Sequence, residues 1–361
     1  MPYFFAFLSA LLISFFSTPL TILLFKKLNI LDDPTKHRPA KNQVHQYSVP
    51  RGGGIPLFLG LLSALFFLPL DQHLKGILAA ILIALIIGLA DDIFQGKIHP
   101  LVRLSGNFLS AGMIVFAGIG IPFINNPLGG IIRLDTPKIC FVFLGQSRCI
   151  WLIADSLALL WIVWCMNFVG WSGGVEGQLP GIVTIAALTI AGLSLKFSAD
   201  ITQWPVIILA LILSGSYLGF LPWNFYPQKI MPGYSGKTIA GLMLAVLSIL
   251  STAKVATLML VLAIPLIDAV YLVTKRIVSG KSPVWGNREH FHHRLLDLGW
   301  SKKRIAVFYW LVTLLLGILA LNLNSKQKLY TMFMLIFVFF GIILWINFFS
   351  TSSKQPDQDN G

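Results

Sequence analysis

Apolar runs about as long as a bilayer is thick recur along this chain and restrict its folds more than any other feature. The first is YFFAFLSALLISFFSTPLTILLF, residues 3–25. About 20 such residues in a helix cross the ~30 Å hydrocarbon layer with every backbone polar group satisfied internally. Windows of about 19 residues give roughly eleven spans, near 3–25, 54–70, 74–93, 105–124, 151–169, 180–196, 204–222, 238–252, 254–273, 304–324 and 329–349. With 56% of residues hydrophobic and 11% charged, a soluble two-domain protein is excluded. The chain reads as an all-α polytopic membrane protein of about 10–11 transmembrane helices. The first run has no basic residue before it and no small-residue cleavage pattern after it, so it is expected to remain as a span.

Alternating the loops between two sides gives one side the larger share of the basic residues, among them Lys26, Lys27, Arg51, Lys97, Arg103, Lys237, Lys275, Arg276, Arg294 and Lys302. The positive-inside rule makes that side cytoplasmic, with the amino terminus outside a cell inner (plasma) membrane. Segments 26–53, 91–104, 170–179, 223–237 and 274–303 fall there and hold nearly every unusual polar cluster, so active-site loops are expected on the cytoplasmic face. One integral-membrane domain is expected over 1–349, with 274–303 a large loop containing a short helix and 350–361 a disordered tail. On the outer side, 125–150 alternates in polarity and suits a small β-hairpin. Cys140 and Cys149 flank FVFLGQSR within it, as a disulfide or as two free thiols; Cys165, inside a span, is expected to pack. The net charge of +13 suits a face lying on anionic headgroups and equally draws a diphosphate-bearing substrate. The lipid bilayer is the expected partner, and nucleic acid is not.

Asp91 and Asp92 close an apolar helix in IIGLADDIFQGK. An ionised carboxylate costs roughly 2.5–3.5 kcal/mol at mid-membrane and less near the surface. Acids at a helix carboxyl end also oppose its dipole, so the pair stands against local preference. Neighbouring positions diverge by about 100° around a helix, so one acid can hold a metal or a lysine while the other works on substrate; pairing with Lys97 or Arg103 is the alternative. Asp268 in LAIPLIDAVYLVTKR is a second intramembrane acid, expected either to pair with Lys275 or to face the same cavity. In VPRGGGIPL, Arg51 beside three glycines suits an anion clamped by guanidinium and backbone N–H groups. In MNFVGWSGGVEGQLPGI, Asn167 leaves a span and Glu176 follows among glycines, suited to a base or sugar, or to a plain turn.

The polar stretch NREHFHHRLLDL holds His290, His292, His293 and Arg294. In a helix His290, His293 and Arg294 share a face while His292 points elsewhere, which is poor zinc geometry. A donor-rich surface for phosphate and hydroxyl groups fits better.

Together these residues resemble glycosyl transferase family 4, the polyprenyl-phosphate N-acetylhexosamine-1-phosphate transferases. The resemblance is carried by DDPTKHRPAKNQVHQYSVPRGGG, ADDIFQGKI, Asn167 and PLIDAVYLVTKRIVSGKSPVWGNREHFHHRL. It implies transfer of a sugar 1-phosphate from a UDP-sugar to polyprenyl phosphate with release of UMP, for cell-envelope polysaccharide synthesis, using Mg²⁺ (or Mn²⁺), in a chain that could pair as a homodimer. By that resemblance Asp91, Asp92 and Asp268 are catalytic, and Asp91, Asp92 and Glu176 hold metal. Arg51, Lys97, Asn167, Glu176, His290, His292, His293 and Arg294 then bind substrate.

The sequence also departs from that pattern. Where the family has Asn-x-x-Asp-Gly-x-Asp-Gly, this chain has Gly170, Gly173 and Glu176, losing one carboxylate and lengthening another. Phe-Met-Gly-Asp-x-Gly becomes MPGYSG, with Tyr234 for an expected metal-binding aspartate and Met231 for an aromatic; Asn287 stands where aspartate is common. A phenol titrating near ~10 does not replace a carboxylate at neutral pH, although it could stack on a base. A transferase with a changed nucleotide-sugar donor, and a non-catalytic membrane protein that binds lipid-linked sugar or scaffolds a partner, are the alternatives.

Overall fold

The computed structural model describes residues 1–33, 48–95, 97–126, 129–143, 146–251, 254–282 and 289–352. Residues 34–47 of the first loop, Asn287, Arg288 and the end of the tail lie outside them. In chain order, α1 (Pro2–Lys27) leads through the paired strands β1 (Leu31–Asp32) and β2 (Val49–Pro50) to α2 (Gly54–Leu61) and a 3₁₀ turn ending at Phe66. Helices α3 (Gln72–Ile93) and α4 (Pro100–Phe116) follow. Next come two antiparallel hairpins, β3 (Phe123–Asn125) with β4 (Ile131–Arg133) and β5 (Lys138–Phe143) with β6 (Gln146–Trp151). The remaining elements are α5 (Leu152–Trp171), α6 (Gln178–Lys196), α7 (Gln203–Asn224), α8 (Gly233–Leu250), α9 (Lys254–Val261), α10 (Ala263–Val278), α11 (Phe291–Asp297), α12 (Lys302–Asn322) and α13 (Ser325–Ser352).

Among the described residues eight helices are long and apolar enough to cross a membrane, or nine if α9 and α10, bent by 88°, count as one broken span. That bend has a cause in the sequence. Pro265 has no N–H to give the carbonyl of Val261, so the helix breaks at Leu262. The expected spans at 54–70 and 105–124 are occupied by the shorter helices α2 and α4.

Apolar surface drives little helix association inside lipid, so close approach relies on small residues. Along α1, Ala6, Ala10, Ser14 and Thr18 repeat every fourth residue and are fully buried. They belong to the face that meets α7, where a side chain added at Gly215 or Gly219 would run into the backbone of Phe7 or Leu11. On α1's outer face Phe4, Phe16, Leu20 and Leu23 are exposed, as lipid contact requires. α8 is enclosed over nearly its whole length: Gly88 of α3 abuts Ser235, and Gly241 abuts Cys165 and Met166 of α5.

Successive helices alternate in direction, which brings the ends of α3, α5 and α7 together with the starts of α2, α6, α8 and α12. The hairpins lie at the opposite end, because α5 leaves β6 at Leu152 and reaches the other end 20 residues later, about 30 Å away. The expected β-hairpin is β5–β6, with Cys140 and Cys149 paired as a disulfide across it. Cys165 is buried and free.

Candidate active site

A cavity of about 590 Å³ opens at the end of the bundle away from the hairpins. Its wall takes residues from all five polar segments singled out in the sequence: Arg51, Asp91 and Asp92, Asn167 with Glu176, Tyr234 with Lys237, and the three histidines. The loop-borne histidines therefore share one space with the acids that end α3.

The two neighbouring aspartates are used differently. Asp92 is 2% exposed and sits at the amino end of α8. Its Oδ1 accepts from the Tyr234 N–H at 2.6 Å, and its Oδ2 accepts from the Ser235 N–H at 3.1 Å and the Ser235 hydroxyl at 2.6 Å. A carboxylate there is stabilised by the helix dipole and by otherwise orphan N–H groups. Gly233, at φ +69°, lets the chain turn against it, since a side chain there would strike Asp92 and the Arg51 carbonyl. Asp91 faces the other way: its Oδ2 lies 3.6 Å from Arg103, and its Oδ1 is buried with no hydrogen-bond partner. Arg103 also lies 5.4 Å from the Tyr234 ring centroid, while the Tyr234 hydroxyl donates to Asn107 at 3.3 Å.

The glycines of VPRGGGIPL answer a packing need. The Gly53 N–H donates to the Met231 carbonyl and the Met231 N–H donates to the Pro50 carbonyl. Side chains at Gly53 or Gly54 would strike Met231 or Ser235. Arg51 itself fronts the cavity beside Asp32, 3.3 Å away.

On the opposite wall α11 begins only at Phe291, leaving His290 in an extended conformation before it. Its ring therefore stacks on His292 at 5.6 Å and 7°, instead of sharing a helical face with His293 and Arg294. All three histidines line the cavity and Arg294 does not; its guanidinium lies over Tyr271. Asp268 is not part of the lining either. It lies behind the histidines, with Oδ2 2.9 Å from His290 Nδ1 and Oδ1 accepting from the Phe291 N–H at 3.0 Å. Lys275 pairs not with Asp268 but with Glu289 at 2.7 Å, and this hydrogen bond holds the Glu289 carboxyl below its usual range. Burial, then the positive neighbours His293, His290 and Lys237, hold the His292 imidazole well below its usual range. Gly174 leaves the space this ring fills, for a side chain there would overlap it.

Glu176 faces the cavity from a loop tied down on every side. Its Oε1 lies 2.8 Å from the Lys302 ammonium, and its Oε2 accepts from the Gln228 N–H at 3.4 Å. The Gly177 N–H donates to Asn224, and the Trp310 indole donates to the Gly177 carbonyl. Asn167 is in the lining, with its amide donating to Val163. Lys97 is exposed and outside the lining, whereas Arg103 lies within it.

The expected metal set of Asp91, Asp92 and Glu176 lines one cavity. Asp92 and Glu176 are satisfied by protein donors, and among the described residues no three His, Cys, Asp or Glu side chains converge to hold an ion. Lys237 is the wall residue that sequence reading used only for topology. The available signal was a lysine near the start of an otherwise apolar helix.

Residues 74–252 match the family model for Glycosyl transferase family 4. A decaprenyl-phosphate N-acetylglucosaminephosphotransferase of Mycobacterium leprae (strain TN) is 30% identical over 350 residues, covering 88% of this chain and 82% of that protein. A probable undecaprenyl-phosphate N-acetylglucosaminyl 1-phosphate transferase of Bacillus subtilis (strain 168) is 27% identical, covering 94% of this chain and 89% of that one. A phospho-N-acetylmuramoyl-pentapeptide-transferase of Borrelia hermsii is 26% identical, covering 88% and 92%.

Proposed function

The chain belongs to glycosyl transferase family 4, and on that footing we propose that it transfers a sugar 1-phosphate, N-acetylhexosamine 1-phosphate, from a UDP-sugar to polyprenyl phosphate. A phosphate oxygen of the lipid attacks the phosphorus bearing the sugar, the bond to the UMP oxygen breaks, and UMP leaves. A polyprenyl-diphosphate sugar remains for cell-envelope polysaccharide synthesis. The observation that carries this reading is the single cavity joining the aspartate pair to the three histidines.

Both reactants are anions, so the site must offset their repulsion. Arg51 and Arg103 front the cavity for that task. Asp91, with one oxygen lacking a protein partner, is placed to orient the lipid phosphate or take its proton. Asp92 holds α8, and Asp268 holds His290 and α11, so both act as positioning residues. The histidines and Asn167 line the cavity where sugar and diphosphate oxygens would lie.

Metal dependence is general in the family, and Mg²⁺ or Mn²⁺ is the cofactor membership brings. The residues here do not fit it, because two of the three expected carboxylates are engaged by protein donors. We place the cavity on the cytoplasmic side of the inner membrane. The excess of basic residues near that end supports this, as does a disulfide hairpin at the other end, which suits an oxidising side.

The test is the full chain in detergent with polyprenyl phosphate and UDP-N-acetylglucosamine, assayed in Mg²⁺ and in chelator. Lipid-linked sugar and UMP in either buffer are the expected products. Loss of the metal carboxylates favours one second reading, a protein that holds lipid-linked sugar without turnover, and binding of donor with no product in either buffer would establish it.

A further inference from the structure

Each acid around the cavity has at least one protein partner, Asp91 through one oxygen only. Asp32 lies against Arg51, Asp91 against Arg103, and Glu176 against Lys302. Asp92 takes three donors at the start of α8. Lys237 also lines the cavity, and among the described residues no carboxylate lies at ion-pair distance from its ammonium and no acceptor takes its hydrogens. Asp92 and Arg51 are the charges that influence it.

Its stem runs along the α5–α6 glycines. A Cβ at Gly170 would lie 3.5 Å from Lys237 Cβ, and one at Gly173 would lie 3.0 Å from Lys237 Cε. Gly170 and Gly173 belong to the segment in which the family pattern carries the carboxylate missing here. A carboxylate at 173 would sit against the lysine and cancel its charge, whereas glycine leaves the charge facing the cavity. The missing acid and the lysine therefore act on the same patch of wall, which is left able to bind an anion. A divalent cation in the cavity would be repelled by Lys237, Arg51 and Arg103, which all line it, while a dianion would be drawn to them.

We propose that Lys237, together with Arg51 and Arg103, binds the diphosphate of the sugar nucleotide directly, in place of a divalent cation, so that the donor binds without metal. This rests on the transferase reading of the cavity. The fixed ammonium and guanidinium groups take the counter-charge role, and the histidine wall meets the sugar.

The experiment is binding of UDP-N-acetylglucosamine to the full chain in detergent, by calorimetry, in EDTA and in MgCl₂. Equal affinity in the two buffers is expected. Lys237→Gln should weaken binding roughly 10- to 100-fold, and Lys237→Arg should retain most of it, with thermal unfolding confirming that each variant is folded. Binding only in MgCl₂, or Lys237→Gln binding as tightly as the unaltered chain, overturns the inference and leaves the donor reading standing. Absence of binding in both buffers overturns both. The buffer comparison on the unaltered chain decides the matter even where a variant does not fold.

Discussion

The two walls of the cavity are built alike and equipped differently. On each, an aspartate from a membrane helix accepts hydrogen bonds from the first N–H groups of another helix: Asp92 at α8 and Asp268 at α11. On the α3–α8 wall this anchoring leaves Asp91 beside Asp92 with an unpartnered oxygen, and it presents Lys237 to the cavity. On the histidine wall no spare carboxylate fronts the cavity, because Asp268 lies behind the ring it holds. An acid buried in a membrane helix is thus more informative for what it holds than for being acidic, and adjacent acids can divide the two tasks.

The sharpest way to break this contrast is to exchange the two acids' roles. Asp91→Asn should cut transfer by roughly 10²- to 10⁴-fold with a smaller loss of stability than at Asp92, since only the 3.6 Å contact with Arg103 is weakened. Asp92→Ala should instead destabilise the chain by about 1–3 kcal/mol for each buried donor left unsatisfied, since three donors at α8 lose their acceptor; equal loss of stability in both variants would sink the distinction. Next in size, Lys302→Met strands the Glu176 carboxylate and should cost about 3–5 kcal/mol. Adding Glu176→Gln should restore much of that, read as a coupling in a double-mutant cycle. Asp268→Asn should lower turnover by about 10²-fold through displacement of the histidine wall. If Asp268 only supports the fold, the apparent affinity for donor will stay fixed while the amount of folded protein falls.

The smallest effect is pH dependence confined to the histidine wall. The unfolded chain protonates His292 near its ordinary value of about 6.5, while the folded chain keeps it neutral to lower pH. The unfolded state therefore binds more protons in that window, and stability falls as pH drops below about 6.5. Glu289, its carboxyl held low by Lys275, adds stability that is present above its ordinary value and lost as pH falls, so both groups make the wall acid-labile. Proteolysis of 274–303 followed from pH 7.5 to 5.5 should show the wall loosening, and His292→Gln should flatten the upper part of that curve.

Much of this architecture was legible in order of residues. The spans at α3, α5, α6 and α7 show themselves by length and polarity alone, and so does the strand alternation of β5 and β6. The family resemblance and the meeting of the polar segments were legible too, because alternating spans send every second loop to the same end. The residue-level roles were not. Helical spacing put Arg294 with His290 on one face, but α11 begins one residue later and stacks His290 on His292. The glycines after Arg51 looked like an anion cradle, yet Met231 and Ser235 occupy their open faces.

Sequence by itself determined that this chain crosses a membrane many times and gathers its polar residues at one end, because hydrophobic length and charge act through the bilayer without reference to partners. Tertiary structure alone decided which of two adjacent aspartates is left with an open oxygen, that Glu176 is neutralised by Lys302, and that Lys237 reaches the cavity past two glycines. Those outcomes depend on distances between helices far apart in the chain, and a charge's effect falls off or reverses with its nearest neighbour, which spacing along one helix does not encode.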